Sequence, residues 1–159
     1  MKQLGVLVLI CVGLLTACQP KQPAVASNEP PIDLAVVLQQ AKTENKNVLL
    51  DFTGSDWCPP CIAMHENVFT KPEFKGYANT NLVFVEVDFP NEKPQSPEQK
   101  KANEALSAQF KVEAFPTFVL LNAEGKELWR EVGAFVQTPA EFISSIEAVK
   151  KTPAATTTK

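Results

Sequence analysis

The chain has 159 residues, 45% of them hydrophobic, with fifteen Lys plus Arg against eighteen Asp plus Glu and a net charge of −3. That length supports one compact domain around one core. The acidic balance, with no basic stripe, excludes a nucleic-acid-binding surface from the expected partners.

Residues 1–17 carry one cation, Lys2, and then the apolar run Leu4 to Leu15. This run is too short to span a bilayer and suits the hydrophobic region of a signal peptide. It ends in Leu15-Thr16-Ala17-Cys18, which resembles the lipobox of bacterial lipoproteins. The resemblance implies cleavage after Ala17 and a diacylglycerol thioether on Cys18, with several acyl chains that exceed the two-signal requirement for stable anchoring. The alternative is an ordinary signal peptide with an incidental cysteine. Cys11 would leave with the signal and Cys18 would be consumed, so Cys58 and Cys61 would be the remaining thiols and a structural disulfide framework is excluded. The processed chain would lose Lys2 and stand at −4.

Gln19 to Pro31 holds four prolines among polar residues, the composition of an extended spacer. Gln19 after the anchor cysteine, by resemblance to Gram-negative sorting rules, favours the outer membrane over the inner, with the domain facing the periplasm. The expected organisation is a lipoprotein signal peptide over 1–17, a lipidated cysteine and flexible tether over 18–31, a domain over 32–150 and a disordered tail over 151–159.

Within the domain, Leu34, Val37, Leu38 and Ala41 follow Asp33 at helical spacing and predict an amphipathic helix over 33–45. Val48 to Thr53 is a continuous apolar run, as in a strand covered on both faces. A helix is predicted from Cys58 to about Phe69, with Thr70-Lys71-Pro72-Glu73 as a capping box restarting it over 72–78. Leu82 to Val87 is the second strand. The polar, proline-rich segment Phe89 to Pro97 leads to Ser96-Pro97-Glu98-Gln99, where Ser96 caps, Pro97 takes the first helical position and Gln99 completes the box of a helix reaching Phe110. Thr117–Leu121 and Lys126–Val132 flank Asn122-Ala123-Glu124-Gly125, an antiparallel hairpin signal. Thr138-Pro139-Ala140-Glu141 is a further capping box, opening a last helix whose Phe142, Ile143, Ile146 and Val149 face the sheet. The order α-β-α-β-α-β-β-α fits an α/β fold with a central mixed sheet of about four strands and helices on both faces.

Trp57-Cys58-Pro59-Pro60-Cys61 follows the first strand directly. Two cysteines three apart at a strand-to-helix junction make a reversible dithiol. A helix N-terminus favours a thiolate at Cys58, the expected nucleophile; Cys61, one turn on, suits the resolving role. Pro59 and Pro60 stiffen the first turn, where prolines cost least. A zinc site is the other reading of such a pair, but a closed site needs four ligands and only His65 could readily add a third, so no metal is expected. His65, on the Cys61 face, could tune the pair, bind copper with it, or be an ordinary polar position. Asp51 interrupts an apolar strand, where a carboxylate is costly unless protonated or partnered. With a raised pKa it could exchange a proton with Cys61; alternatively it reaches solvent at the strand end.

With these residues in place, the chain from about Asp33 to Lys150 resembles the thioredoxin family, a three-layer α/β/α fold. Asp51-Phe52 before the WCPPC pentapeptide resembles its buried-acid strand and WCxxC motif. Val112-Glu113-Ala114-Phe115-Pro116-Thr117 resembles the loop whose proline is cis and packs against the cysteines, and Gly125 and Gly133 match its paired glycines. The resemblance implies that Pro116 is cis, that Trp57, Phe115, Pro116 and Thr117 bind an extended substrate segment, and that the function is thiol–disulfide exchange through Cys58 and Cys61 with no cofactor beyond that disulfide.

Three departures stand out. Asp51 lies one residue further from Cys58 than in ordinary thioredoxins, a spacing closer to exported relatives and to the C-terminal domain of the membrane electron carrier. Phe84 stands where a lysine usually faces the buried acid. No strand is evident before Asp33. Oxidising relatives carry a histidine just before the second cysteine, where this chain has Pro60, so reduction of protein disulfides is expected. Electrons would come from a membrane thiol carrier, and the chain would act as a monomer. The rivals are an oxidant or isomerase on the same fold, and a metal-handling or peptide-holding lipoprotein whose cysteines do not turn over.

Overall fold

The computed structural model describes residues 30–133 and 138–151. The expected signal peptide, the lipidated Cys18, residues 18–29 of the tether and the tail from 152 lie outside them. No helix among the described residues is long and apolar enough to cross a membrane.

Helix α1 (Leu34–Glu44) is capped by the Asp33 carboxylate, which accepts from the Ala35 N–H, and closed by Asn45 in the left-handed region. Strand β1 (Asn47–Thr53) leads through a short loop into α2 (Pro59–Met64). Helix α3 (Pro72–Asn81), strand β2 (Leu82–Asp88) and helix α4 (Pro97–Gln109) follow. The hairpin β3 (Thr117–Leu121) and β4 (Glu127–Val132) precedes α5 (Pro139–Lys151). The sheet order is β2-β1-β3-β4, with β1 and β2 parallel and the other pairs antiparallel. The four-stranded mixed sheet expected from the sequence is present.

Period-two alternation along β1 sorts the core into two layers. Val48, Leu50 and Phe52 pack with Ala41 of α1 and with Leu106 and Phe110 at α4. Leu49 faces the other way, joining Met64, Val68, Phe69 and Phe74 from the α2–α3 side and Phe142 and Ile146 of α5. Helices therefore cover both faces, which is why all of β1 after Asn47 is buried.

Local details differ from expectation at three places. The helix predicted to run from Cys58 to Phe69 changes pitch after Met64, and His65–Phe69 form a π-helical turn, a feature with no sequence signature and a frequent neighbour of functional sites. Thr70 is not an N-cap. It ends that turn in helical conformation, so its hydroxyl donates back to the Glu66 carbonyl, four residues earlier, and the extended Lys71 precedes α3 instead. Ser96 does cap α4 through the Gln99 N–H, but Gln99 does not return the bond, because its side-chain amide donates to Asn103 one turn on. At α5 the reciprocal box is complete: the Thr138 N–H donates to Glu141 and the Glu141 N–H to Thr138.

Candidate active site

Strand β1 ends under the N-terminus of α2, and the loop between them sets the approach to the cysteines. Gly54 accepts from the Cys58 N–H at 2.9 Å, turning the chain into the helix. Cys58 is the N-cap, Pro59 and Pro60 occupy the first turn, and the Cys61 N–H points at the Cys58 sulfur. A disulfide joins Cys58 to Cys61 across this turn, and the two residues are 4% and 3% exposed. Among the described residues no group of three or more His, Cys, Asp or Glu is arranged to hold a metal ion.

An aromatic rim borders the disulfide. Trp57, 42% exposed, meets Phe115 edge to face with ring centroids 5.8 Å apart, and Phe115 lies 5.2 Å from Phe89. The Trp57 indole N–H donates to the Phe89 carbonyl at 2.7 Å. Gly54 lies directly beneath the indole; a Cβ there would meet the ring at 2.5 Å. The peptide between Phe115 and Pro116 is cis. Thr117 is buried, its hydroxyl donating to the Ala114 carbonyl and closing the loop before β3.

Phe89 was invisible to motif reading because it belongs to the segment after β2, and its place depends on a clasp made far away in sequence. The Asp56 carboxylate accepts the N–H groups of Asn91, Glu92 and Lys93. These bonds hold its pKa below the ordinary carboxylate range. The Asp88 carboxylate accepts from the Ser55 N–H and hydroxyl, while the Asp88 carbonyl accepts from Gln95 and from the buried Asn103 of α4. The approach loop and the 89–97 segment are thus stitched together. A carboxylate beside a polar, proline-rich segment was the available signal.

Asp51 is 2% exposed, on the sheet face that α2 covers, and its Oδ1 has no hydrogen-bond partner among the described residues. Burial first, then the nearby carboxylates of Glu86 and Asp88, push its pKa well above the ordinary range. The surroundings thus favour the protonated form of the acid over the ionised one. Phe84, expected from the sequence to stand where a lysine would face the acid, turns its ring into a cluster with Phe69 and Phe74 at centroid distances of 5.1 and 5.5 Å. An open cleft of about 730 Å³ lies beside α2, touching Cys61, His65, Phe84, Glu86 and Asp88. His65 and Cys61 share this cleft, as their spacing predicts.

Comparison with known proteins gives a consistent result. Residues 34–150 match the family described as Thioredoxin-like domain. The chain is 39% identical over 133 residues to the disulfide bond reductase DsbH of Chlamydia pneumoniae, covering 84% of this chain and 80% of that one. A solved structure of DsbH oxidoreductase superposes with a TM-score of 0.69 at 38% identity, over 86% of this chain and 94% of that one. The oxidised C-terminal domain of Neisseria meningitidis DsbD shares the fold at 21% identity, with a TM-score of 0.52 over 72% of this chain and 90% of that domain.

Proposed function

The chain belongs to the thioredoxin-like family and is a thiol–disulfide oxidoreductase by kind; from that premise we propose that it reduces protein disulfides in the bacterial cell envelope, tethered to a membrane through a lipidated Cys18. The observation that carries this reading is the Cys58–Cys61 disulfide across the first turn of α2, on the side of the sheet that holds a buried, unpartnered acid.

The cycle balances with two thiols in and two thiols out. A thiolate of the membrane carrier attacks the Cys58 sulfur; the Cys58–Cys61 bond breaks, and Cys61 leaves as a thiolate that takes the Asp51 proton. The carrier's second thiolate closes its own disulfide and releases Cys58 as a thiolate, favoured at a helix N-terminus. Cys58 then attacks a substrate disulfide and expels one substrate thiolate. Asp51 takes the Cys61 proton, and Cys61 attacks the Cys58 sulfur, releasing the second substrate thiolate and restoring the enzyme disulfide. Trp57, Phe115, Pro116 and Thr117 would receive the substrate segment around its cysteine. The protein acts in this scheme as a monomer, with protein disulfides as substrates and no cofactor beyond its own disulfide.

Two features support the reducing direction. The similar chlamydial protein is named a disulfide bond reductase. Pro60, where oxidants carry histidine, removes a stabiliser of the reduced thiolate, so the potential should fall nearer the thioredoxin value of about −270 mV than the oxidant value of about −120 mV. Envelope placement is supported by the lipobox-like Leu15-Thr16-Ala17-Cys18, and Gln19 favours the outer membrane.

Insulin reduction by the wild type, Cys58→Ser and Cys61→Ser is the test. Both variants should lose turnover, and Cys61→Ser should accumulate mixed disulfides on Cys58; turnover unchanged in both would refute the dithiol mechanism. A measured potential above about −150 mV would assign the oxidant or isomerase role instead. Cys18→Ala should release the protein from membranes, and a wild type found soluble would end the anchor reading.

A further inference from the structure

The parallel register of β1 and β2 sets Asp51 directly opposite Glu86. Paired residues on neighbouring strands project from the same face of a sheet. Here that is the face under α2 and the π-helical turn, where Leu49 and Phe118 pack with Met64 and Val68. The cleft beside this face touches both Glu86 and Cys61, so one space joins the carboxylate opposite the buried acid to the cysteine whose proton must move. His65 Nδ1 lies 3.6 Å from Glu86 Oε1, and the two side chains are 54% and 45% exposed. An ion pair so open to water does little for stability. What it provides is a charge facing Asp51 and a contact with solvent.

We propose, resting on the dithiol reading above, that Glu86 is a positioning residue for the resolving step: from its paired place on β2 its carboxylate governs when Asp51 takes the Cys61 proton. In that step the proton passes from the Cys61 thiol to the Asp51 carboxylate, and the Cys61 thiolate displaces the substrate sulfur from Cys58. Glu86 exchanges no atom. Its negative charge makes the Asp51 carboxylate a stronger base, and a protonated His65 weakens that effect. The other groups facing this region are Asp88 from β2, engaged by Ser55, the cysteines of α2, and Glu66 and Lys93 at the cleft; β3 contributes the apolar Phe118.

The test is a carbon-13 NMR titration of the Asp51 carboxyl in the oxidised full chain, where the cysteines do not titrate. Glu86→Gln should lower the Asp51 midpoint by about one pH unit, the scale on which one unit charge acts through a protein interior. Glu86→Asp, which keeps the charge, should restore most of it. In the reduced protein mixed with 5,5′-dithiobis(2-nitrobenzoate), the rise of the resolving rate with pH should move the same way, which a merely structural role would not produce. An unmoved midpoint in a chain that turns over overturns the role of Glu86 alone, as does an equal shift in Glu86→Asp. A midpoint that moves in a chain that reduces no disulfide overturns the redox reading, and with it the step Glu86 serves.

Discussion

Replacing Asp51 by Asn should change how stability depends on pH, and the sign follows from the burial of this carboxyl. In the unfolded chain the group titrates near 3.8; in the folded protein burial and two neighbouring carboxylates raise it well above that. Between those two values the folded state binds more protons than the unfolded state, so stability is full below about 3.8 and falls as pH rises, levelling once the folded-state pKa is passed. One proton difference corresponds to about 1.4 kcal/mol per pH unit. Asn does not ionise, and its unpartnered amide adds only a pH-independent offset. The wild-type stability minus that of Asp51→Asn should therefore slope downward by about 1.4 kcal/mol per unit across the window, the titrations of other groups cancelling in the difference. For a domain of this size each unit separates the two melting temperatures by roughly 4–6 °C. Urea denaturation of the oxidised proteins from pH 4 to 8 reads the slope directly. A difference that stays flat between pH 4 and 7 refutes the buried-acid assignment, and a difference of opposite slope would mean that Asp51 has a cationic partner.

Other sites give independent outcomes. Gly54→Ala should push the Trp57 indole off its seat, since the new Cβ meets the ring at 2.5 Å; in a Trp129→Phe background the Trp57 emission should shift as its bond to the Phe89 carbonyl is lost. Asp56→Ala removes the acceptor of three backbone N–H groups, so the amides of Asn91 to Lys93 should exchange with deuterium on the order of tenfold faster or more, with α4 and β1 unchanged. Acidification through the lowered Asp56 pKa should loosen the same amides. Phe142→Ala opens a fully buried site among the rings of Phe69, Phe74, Phe118 and Trp129; chemical denaturation should show a loss of about 3–5 kcal/mol.

The sequence was most legible where a short-range pattern decides the structure. The short, largely apolar run after Asn47 reads as a strand covered on both faces, and Leu49 and Leu50 do face different layers. Thr138 and Glu141 are close enough in sequence to make their cap from local geometry alone. Thr70 failed the same motif because it ends a π-helical turn in helical conformation, and no short-range pattern in the sequence marks that turn. At the site, the pentapeptide and the interrupting Asp51 were readable, and the family resemblance supplied the cis expectation at Pro116. Phe89 and Asp56 were not, because the clasp joins residues 35 to 37 apart in sequence. Nor could Glu86 be found, since only strand register brings it opposite Asp51.

That register also decides which charges Asp51 meets across the sheet. Along Phe84-Val85-Glu86-Val87-Asp88 the strand period places Phe84, Glu86 and Asp88 on the face of Asp51 and sends Val87 and Val85 to the other core layer. Phe84 is drawn into the aromatic cluster with Phe69 and Phe74, so the positions next along that face are anionic. A lysine there would hold Asp51 ionised; two carboxylates hold it protonated over a wider pH range. In the proposed cycle a protonated Asp51 helps the step in which the carrier opens the disulfide, because Cys61 leaves as a thiolate that needs a proton. The same preference slows the return step, in which Asp51 must be ionised to accept that proton. The arrangement therefore favours loading of electrons over their delivery, and delivery should be the half-reaction whose rate rises with pH.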